Sequence, residues 1–154
     1  MIDSATKRTA ICYYSKHDGN TRKVVEAMAL EGDADLIDIT AAPAVHLEGY
    51  ERIGFASGIY GFETHPSVGR FLEEHLPEGK KVFFVYTYGL WKGAGVKALA
   101  KLAGEKGALL LGEYGCRGYD TFGPFRLVGG TAKGHPDEQD LAGARAFYRG
   151  LQGK

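Results

Sequence analysis

A turn able to grip a phosphate begins where the first apolar run of the chain ends. Tyr14-Ser15-Lys16-His17-Asp18-Gly19-Asn20-Thr21 leaves that run and opens a stretch with helical spacing. A helix start presents unpaired backbone N–H groups and a partial positive charge, both suited to a phosphate. Ser15, Asn20 and Thr21 add side-chain donors, and Gly19 lets the backbone approach closely. An ordinary capped helix would need only Asn20 or Thr21, so the turn by itself leaves that reading open. Competing phosphate motifs fail on spacing. There is no Gly-x-x-x-x-Gly-Lys-Ser/Thr run, and no Gly-x-Gly-x-x-Gly follows the first apolar run. A tyrosine-phosphatase loop needs a cysteine, five residues and an arginine, but Asp18 stands at that place after Cys12. Cys12 is therefore read as a core thiol, and Cys116 likewise.

Two further stretches combine glycine with aromatic residues: Ser57-Gly58-Ile59-Tyr60-Gly61-Phe62 and Thr87-Tyr88-Gly89-Leu90-Trp91. Each follows an apolar run. Tyr60, Tyr88 and Trp91 can stack on a flat ring with offset geometry. No acid–base pair or nucleophile stands out. The histidines show no metal-ligand spacing, and His46, His65 and His75 are read as surface or packing residues.

The elements that must position these residues alternate along the chain. Strand-like runs cover Thr9–Tyr14, Asp35–Ile39, Arg52–Ser57, Lys81–Tyr86 and Ala108–Cys116. Lys81–Tyr86 is apolar without alternation, as befits a strand buried on both faces. Helical spacing marks Thr21–Glu31, a stretch starting at Pro66, Ala94–Lys106 and Asp137–Gln152; Ala42–Glu48 reads as a weak connection or short helix. Asp137 followed by Asp140 forms a loose capping arrangement. Five strands alternating with helices predict one α/β domain over residues 1–154, a three-layer, doubly wound sandwich around a parallel sheet. In such sheets ligands bind at the carboxyl ends of the strands. The 23 glycines of the 154-residue chain are about twice the usual share, and many follow the strand-like runs.

Composition narrows the class of function. Nineteen basic residues balance 19 acidic ones, so no overall field points to nucleic acid or an acidic membrane surface. No apolar stretch approaches the roughly 20 residues of a membrane span. Met1–Arg8 has no apolar core behind Lys7 and Arg8, so no signal peptide is expected. With two unpaired thiols, the expected location is the cytoplasm.

Tyr14-Ser15-x-His17-x-Gly19-Asn20-Thr21 resembles the phosphate loop of the flavodoxin family, and the similarity extends over the whole chain. The resemblance implies strand order 2-1-3-4-5 and FMN as the cofactor. It places the phosphate against Ser15, Lys16, His17, Gly19, Asn20 and Thr21. The isoalloxazine ring would lie between Ser57, Gly58, Ile59, Tyr60, Gly61 and Phe62 on one side and Thr87, Tyr88, Gly89 and Trp91 on the other. Gly58 would let its peptide reorient with the redox state of the flavin. The implied function is electron transport between a reductase and an acceptor protein, by a monomer or weak dimer. A small FMN-dependent NAD(P)H oxidoreductase acting on a quinone or similar acceptor is the alternative, and an FMN-free interaction module a third reading.

Three features depart from the family pattern. Lys16, His17 and Asp18 replace some of the usual hydroxyls, and the chain is neutral where carrier flavodoxins are acidic. Arg117–Pro136 is long for a connection in a compact domain and is expected to cover the ring, shape a partner site or pack Phe122, Phe125 and Leu127 over the core. Lys92, Arg117, Arg126 and Lys133 are expected to place positive charge at the cofactor edge.

Overall fold

The computed structural model describes residues 8–15, 19–32, 34–41, 44–60, 63–118 and 134–154. Lys16, His17, Gly61, Phe62 and most of the Arg117–Pro136 stretch, including Arg126 and Lys133, lie outside the described residues. The chain runs β1 (Thr9–Tyr14), α1 (Asn20–Ala29), β2 (Ala34–Asp38), β3 (Arg52–Tyr60), β4 (Glu63–Thr64), α2 (Pro66–His75), β5 (Lys81–Tyr88), α3 (Lys97–Glu105), β6 (Leu109–Arg117), α4 (Glu138–Leu151).

The sheet has the order β2-β1-β3-β5-β6, with every pair along that path parallel. This is the expected 2-1-3-4-5 arrangement once the extra two-residue strand β4 is counted. β4 pairs antiparallel with β3, matching Ile59 with Thr64 and Tyr60 with Glu63. The sequence reading ended the third strand at Ser57. Ile59 and Tyr60, β-branched and aromatic, instead prolong it into a short hairpin. β5 likewise extends through Thr87 and Tyr88. The described part of Ala42–Glu48 is not helical.

Alternation along the central strands divides the core into two. Ala10, Cys12 and Tyr14 of β1 join Phe55, Phe84 and Tyr86 beneath α2 and α3, through Val68, Phe71, Leu72 and Leu99. Ile11 and Tyr13 face the other way with Phe83 and Val85, beneath Val24, Val25 and Met28 of α1 and Ala144, Tyr148 and Leu151 of α4. Successive strand side chains point to opposite faces, so a strand covered by helices on both sides is apolar throughout. All six residues of β1 are buried. Cys12 and Cys116 are buried free thiols, one in each half of the core. Burial pushes both up to about 12, so neither is a nucleophile near neutrality.

Polar contacts fasten the helices. Asp137 and Asp140 form a full capping box: the Asp140 N–H donates to Asp137 Oδ1 at 2.9 Å and the Asp137 N–H to Asp140 Oδ2 at 2.8 Å. At the other end of α4, buried Arg52 donates to the Leu151 carbonyl at 2.6 Å and to Thr9 Oγ1 at 3.1 Å. Tyr148 is fully buried, and its hydroxyl has no hydrogen-bond partner among the described residues. A buried polar group left unmatched destabilises a fold, so Tyr148→Phe is expected to raise stability by about 1 kcal/mol in urea unfolding. A lower midpoint for that variant would mean the hydroxyl is satisfied.

Candidate functional site

The sequence-predicted residues that the structure describes lie at the ends of β1, β3 and β5 and at the start of α1, along the carboxyl edge of the sheet. Gly19 is the N-cap of α1 with φ +70°, a left-handed conformation that L side chains rarely adopt. As a glycine it supplies no side-chain cap, and the first turn of α1 contains no acidic residue. The Arg22 N–H donates to Ser15 Oγ at 3.2 Å. The other orphan N–H groups and the positive end of the dipole thus meet no carboxylate from the first turn. α4 is built the opposite way, with Asp137, Glu138 and Asp140 at its start.

Thr21 and Thr87 meet beside this helix start. Their hydroxyl oxygens are 3.0 Å apart, and both residues are buried. The sequence groups Thr87 with the Tyr88–Trp91 stretch, and in the structure its hydroxyl reaches the start of α1. The backbone that follows is tied across the two strands. The Gly118 N–H donates to the Tyr88 carbonyl at 2.8 Å, and the Arg117 guanidinium donates to the Gly89 carbonyl. Arg117 therefore braces the turn after β5, an arrangement its charge alone did not reveal.

The second group lies at the end of β3. Ser57 is fully buried; its hydroxyl donates to the Gly58 carbonyl at 2.7 Å and accepts the His65 N–H at 3.0 Å. Ile59 belongs to the core cluster under α2 and α3, so it is a strand residue in the core and not part of a loop. The Tyr60 ring folds back over Gly58, where an added Cβ would meet Cζ and Oη at 3.1 Å. Tyr60 also stands edge-on to Tyr14 and His65, with centroids at 6.1 and 5.8 Å, while Tyr14 and His65 stack at 3.9 Å. Tyr88 is half-buried and tilted against Tyr86. Leu90 and Trp91 stand out of the surface, 45% and 60% exposed.

His65 is the residue that sequence reasoning missed. It was read as surface or packing, yet it caps α2: the Ser67 N–H donates to its Nδ1 at 3.2 Å, and Ser67 Oγ lies 2.9 Å from the same nitrogen. The available signal was its place immediately before Pro66, the N-cap position when proline opens a helix. His135, Asp137 and Asp140 also come within 4.8 Å of one another, although no metal spacing was read from the sequence. They satisfy each other: His135 Nδ1 lies 2.6 Å from Asp140 Oδ2, the oxygen that accepts the Asp137 N–H. A separate open cleft of about 370 Å³ beside β2 is lined by Leu36, Ile37, Val45, His46 and Tyr50, none of them a predicted site residue. No helix among the described residues is long and apolar enough to cross a membrane.

Comparison with known proteins adds to this geometry. A family model described as a flavodoxin domain matches residues 10–101. An uncharacterized protein of Methanocaldococcus jannaschii is 37% identical over 146 residues, spanning 94% of this chain and 97% of the relative. Among solved structures, oxidised flavodoxin 1 from Bacillus cereus superposes with a TM-score of 0.69 at 18% identity, covering 93% of this chain and 95% of that one. A flavoprotein in complex with FMN from Lactobacillus acidophilus gives 0.54 at 17% identity, over 71% of this chain and 93% of the other.

Proposed function

The chain belongs to the flavodoxin family, and we propose from that premise that it binds FMN at the carboxyl edge of its sheet and carries electrons between partner proteins. One observation carries the cofactor assignment: α1 starts with a left-handed glycine and no acidic residue, beside the buried hydroxyls of Thr21 and Thr87. That donor set fits a phosphate monoester dianion, which accepts hydrogen bonds and donates none. Ser15, Gly19, Asn20 and Thr21 would hold the phosphate. The ends of β3 and β5 would hold the ring, with Tyr88 and Trp91 supplying aromatic surface and Gly58 close backbone contact. The flavoprotein of Lactobacillus acidophilus was solved in complex with FMN, which supports the same ligand here. When bound, FMN supplies one- and two-electron redox chemistry; the protein places it and sets its surroundings.

Exposed Leu90 and Trp91, next to Lys92, supply an apolar contact for a partner at the cofactor edge. The chain's neutrality means that such docking leans on apolar contact more than on charge steering. Stopped-flow mixing with NADH and NADPH tests the carrier assignment. The expected result is no rapid reduction until a reductase is added. Fast stoichiometric reduction by either nucleotide would make the protein an FMN-dependent NAD(P)H oxidoreductase instead.

The ring assignment has its own test. Tyr60→Ala, Tyr88→Ala and Trp91→Ala are each expected to alter the visible spectrum of bound FMN or raise its dissociation constant several-fold. Aromatic contacts contribute about 0.5–1.5 kcal/mol beyond burial. If all three variants keep the parent spectrum and affinity, the ring lies elsewhere.

A further inference from the structure

The first two residues of α1 are set by strands on the far side of the site. Thr21 Oγ1 lies 3.0 Å from Thr87 Oγ1, near the end of β5. Asn20 lies against Gly118, the residue just after β6: a Cβ on Gly118 would fall 2.7 Å from Asn20 Nδ2 and 2.9 Å from Asn20 Cβ. The second distance matters more, because a Cβ is fixed to the helix backbone and cannot swing aside as an amide end can. The Gly118 N–H in turn donates to the Tyr88 carbonyl at 2.8 Å, so β5 and β6 present these two contacts as one braced unit.

Hydroxyl chemistry gives the threonine pair a direction. Each hydroxyl has one hydrogen and two lone pairs, so only one of the two can donate across the 3.0 Å contact. If Thr21 donates to Thr87, its hydrogen is used up inside the protein. If Thr87 donates to Thr21, the Thr21 hydrogen is left for another acceptor. A phosphate offers acceptors only and selects the second arrangement. Two hydrogen bonds in series also polarise one another, strengthening the outer donor.

We propose that Thr87 and Gly118 are positioning residues for the cofactor phosphate: Thr87 turns the Thr21 hydroxyl outward as a donor, and Gly118 leaves the space that the Asn20 side chain occupies. Neither needs to touch the ligand. The proposal rests on the FMN reading and moves Thr87 from the ring side to the phosphate side of that site.

The test compares FMN with riboflavin, which carries the same ring without the phosphate, by fluorescence titration of the full chain. Thr87→Val keeps the shape of the side chain and removes the hydroxyl. It is expected to weaken FMN about fivefold, the scale of one neutral hydrogen bond, and leave riboflavin within about twofold. Thr87→Ser restores the hydroxyl and is expected to restore FMN affinity. Gly118→Ala is expected to weaken FMN at least as much as Thr87→Val, again sparing riboflavin. Riboflavin binding is the check that each variant is folded. Equal losses for both flavins in Thr87→Val, unchanged FMN affinity, or a serine variant no better than valine would each overturn the role of Thr87. Unchanged FMN affinity in Gly118→Ala would overturn that of Gly118. A wild-type protein holding FMN and riboflavin equally would instead overturn the phosphate site itself, a result visible before any variant is made.

Discussion

Replacing Asn20 and Thr21 together by alanine is expected to weaken FMN at least about tenfold and to change riboflavin affinity hardly at all, because a charge-assisted hydrogen bond to phosphate contributes about 1.5–3 kcal/mol. Two such bonds would exceed tenfold, since each factor of ten in affinity corresponds to about 1.4 kcal/mol. The lower bound allows for what alanine leaves in place, namely the backbone N–H groups of α1 and the left-handed Gly19. Thr21 is buried against Thr87, so its truncation also leaves the Thr87 hydroxyl unmatched and lowers stability. Unchanged riboflavin binding separates that effect from loss of the phosphate contact. Equal losses for the two flavins would remove the phosphate assignment.

The largest effect on the fold is expected at Gly54. It lies in the middle of β3, directly opposite Phe83 of β5, and a Cβ placed there would come within 2.4 Å of the Phe83 ring. Phe83 is itself fully buried and packs against Phe147 and Tyr148 of α4, with centroids 6.1 and 6.3 Å away. The ring therefore has nowhere to retreat without moving the helix. Overpacking of a well-filled core commonly destabilises by 1–3 kcal/mol, and Gly54→Ala belongs at the upper end, about 3 kcal/mol. For a chain of this size that lowers the melting temperature by roughly 6–12 °C. Gly104→Ala is the control: it lies in α3, where an added Cβ meets nothing within 4 Å, and it is expected to leave the midpoint unchanged or higher. A Gly54→Ala protein as stable as its parent would show that Phe83 has another rotamer to adopt.

The sequence by itself determined the layered α/β class. Short apolar runs without alternation and rich in β-branched and aromatic residues, as in Lys81–Tyr86, fit strands buried on both faces, and the helical spacing between them supplies the covers. It also brought out the turn for which phosphate binding is proposed, since a glycine before Asn20 and Thr21 at the start of a helix is a local pattern with a local physical meaning. The capping box of α4 was legible for the same reason: Asp137 and Asp140 are three residues apart. What it could not show were contacts between residues far apart in the chain. Thr87 was read with the aromatic residues beside it, yet its hydroxyl meets Thr21 because β5 and the start of α1 converge at one edge of the sheet. Arg117 is expected from the sequence to carry charge at the cofactor edge; that its donor also lies against the Gly89 carbonyl follows only from the pairing of β5 with β6. His65 caps α2 and stacks on Tyr14 of β1, a neighbour 51 positions earlier that only the folded chain supplies. Local patterns follow from short-range sterics and hydrogen bonding. Which donor faces which acceptor across the sheet depends on strand order and register, and those were decided by the tertiary structure.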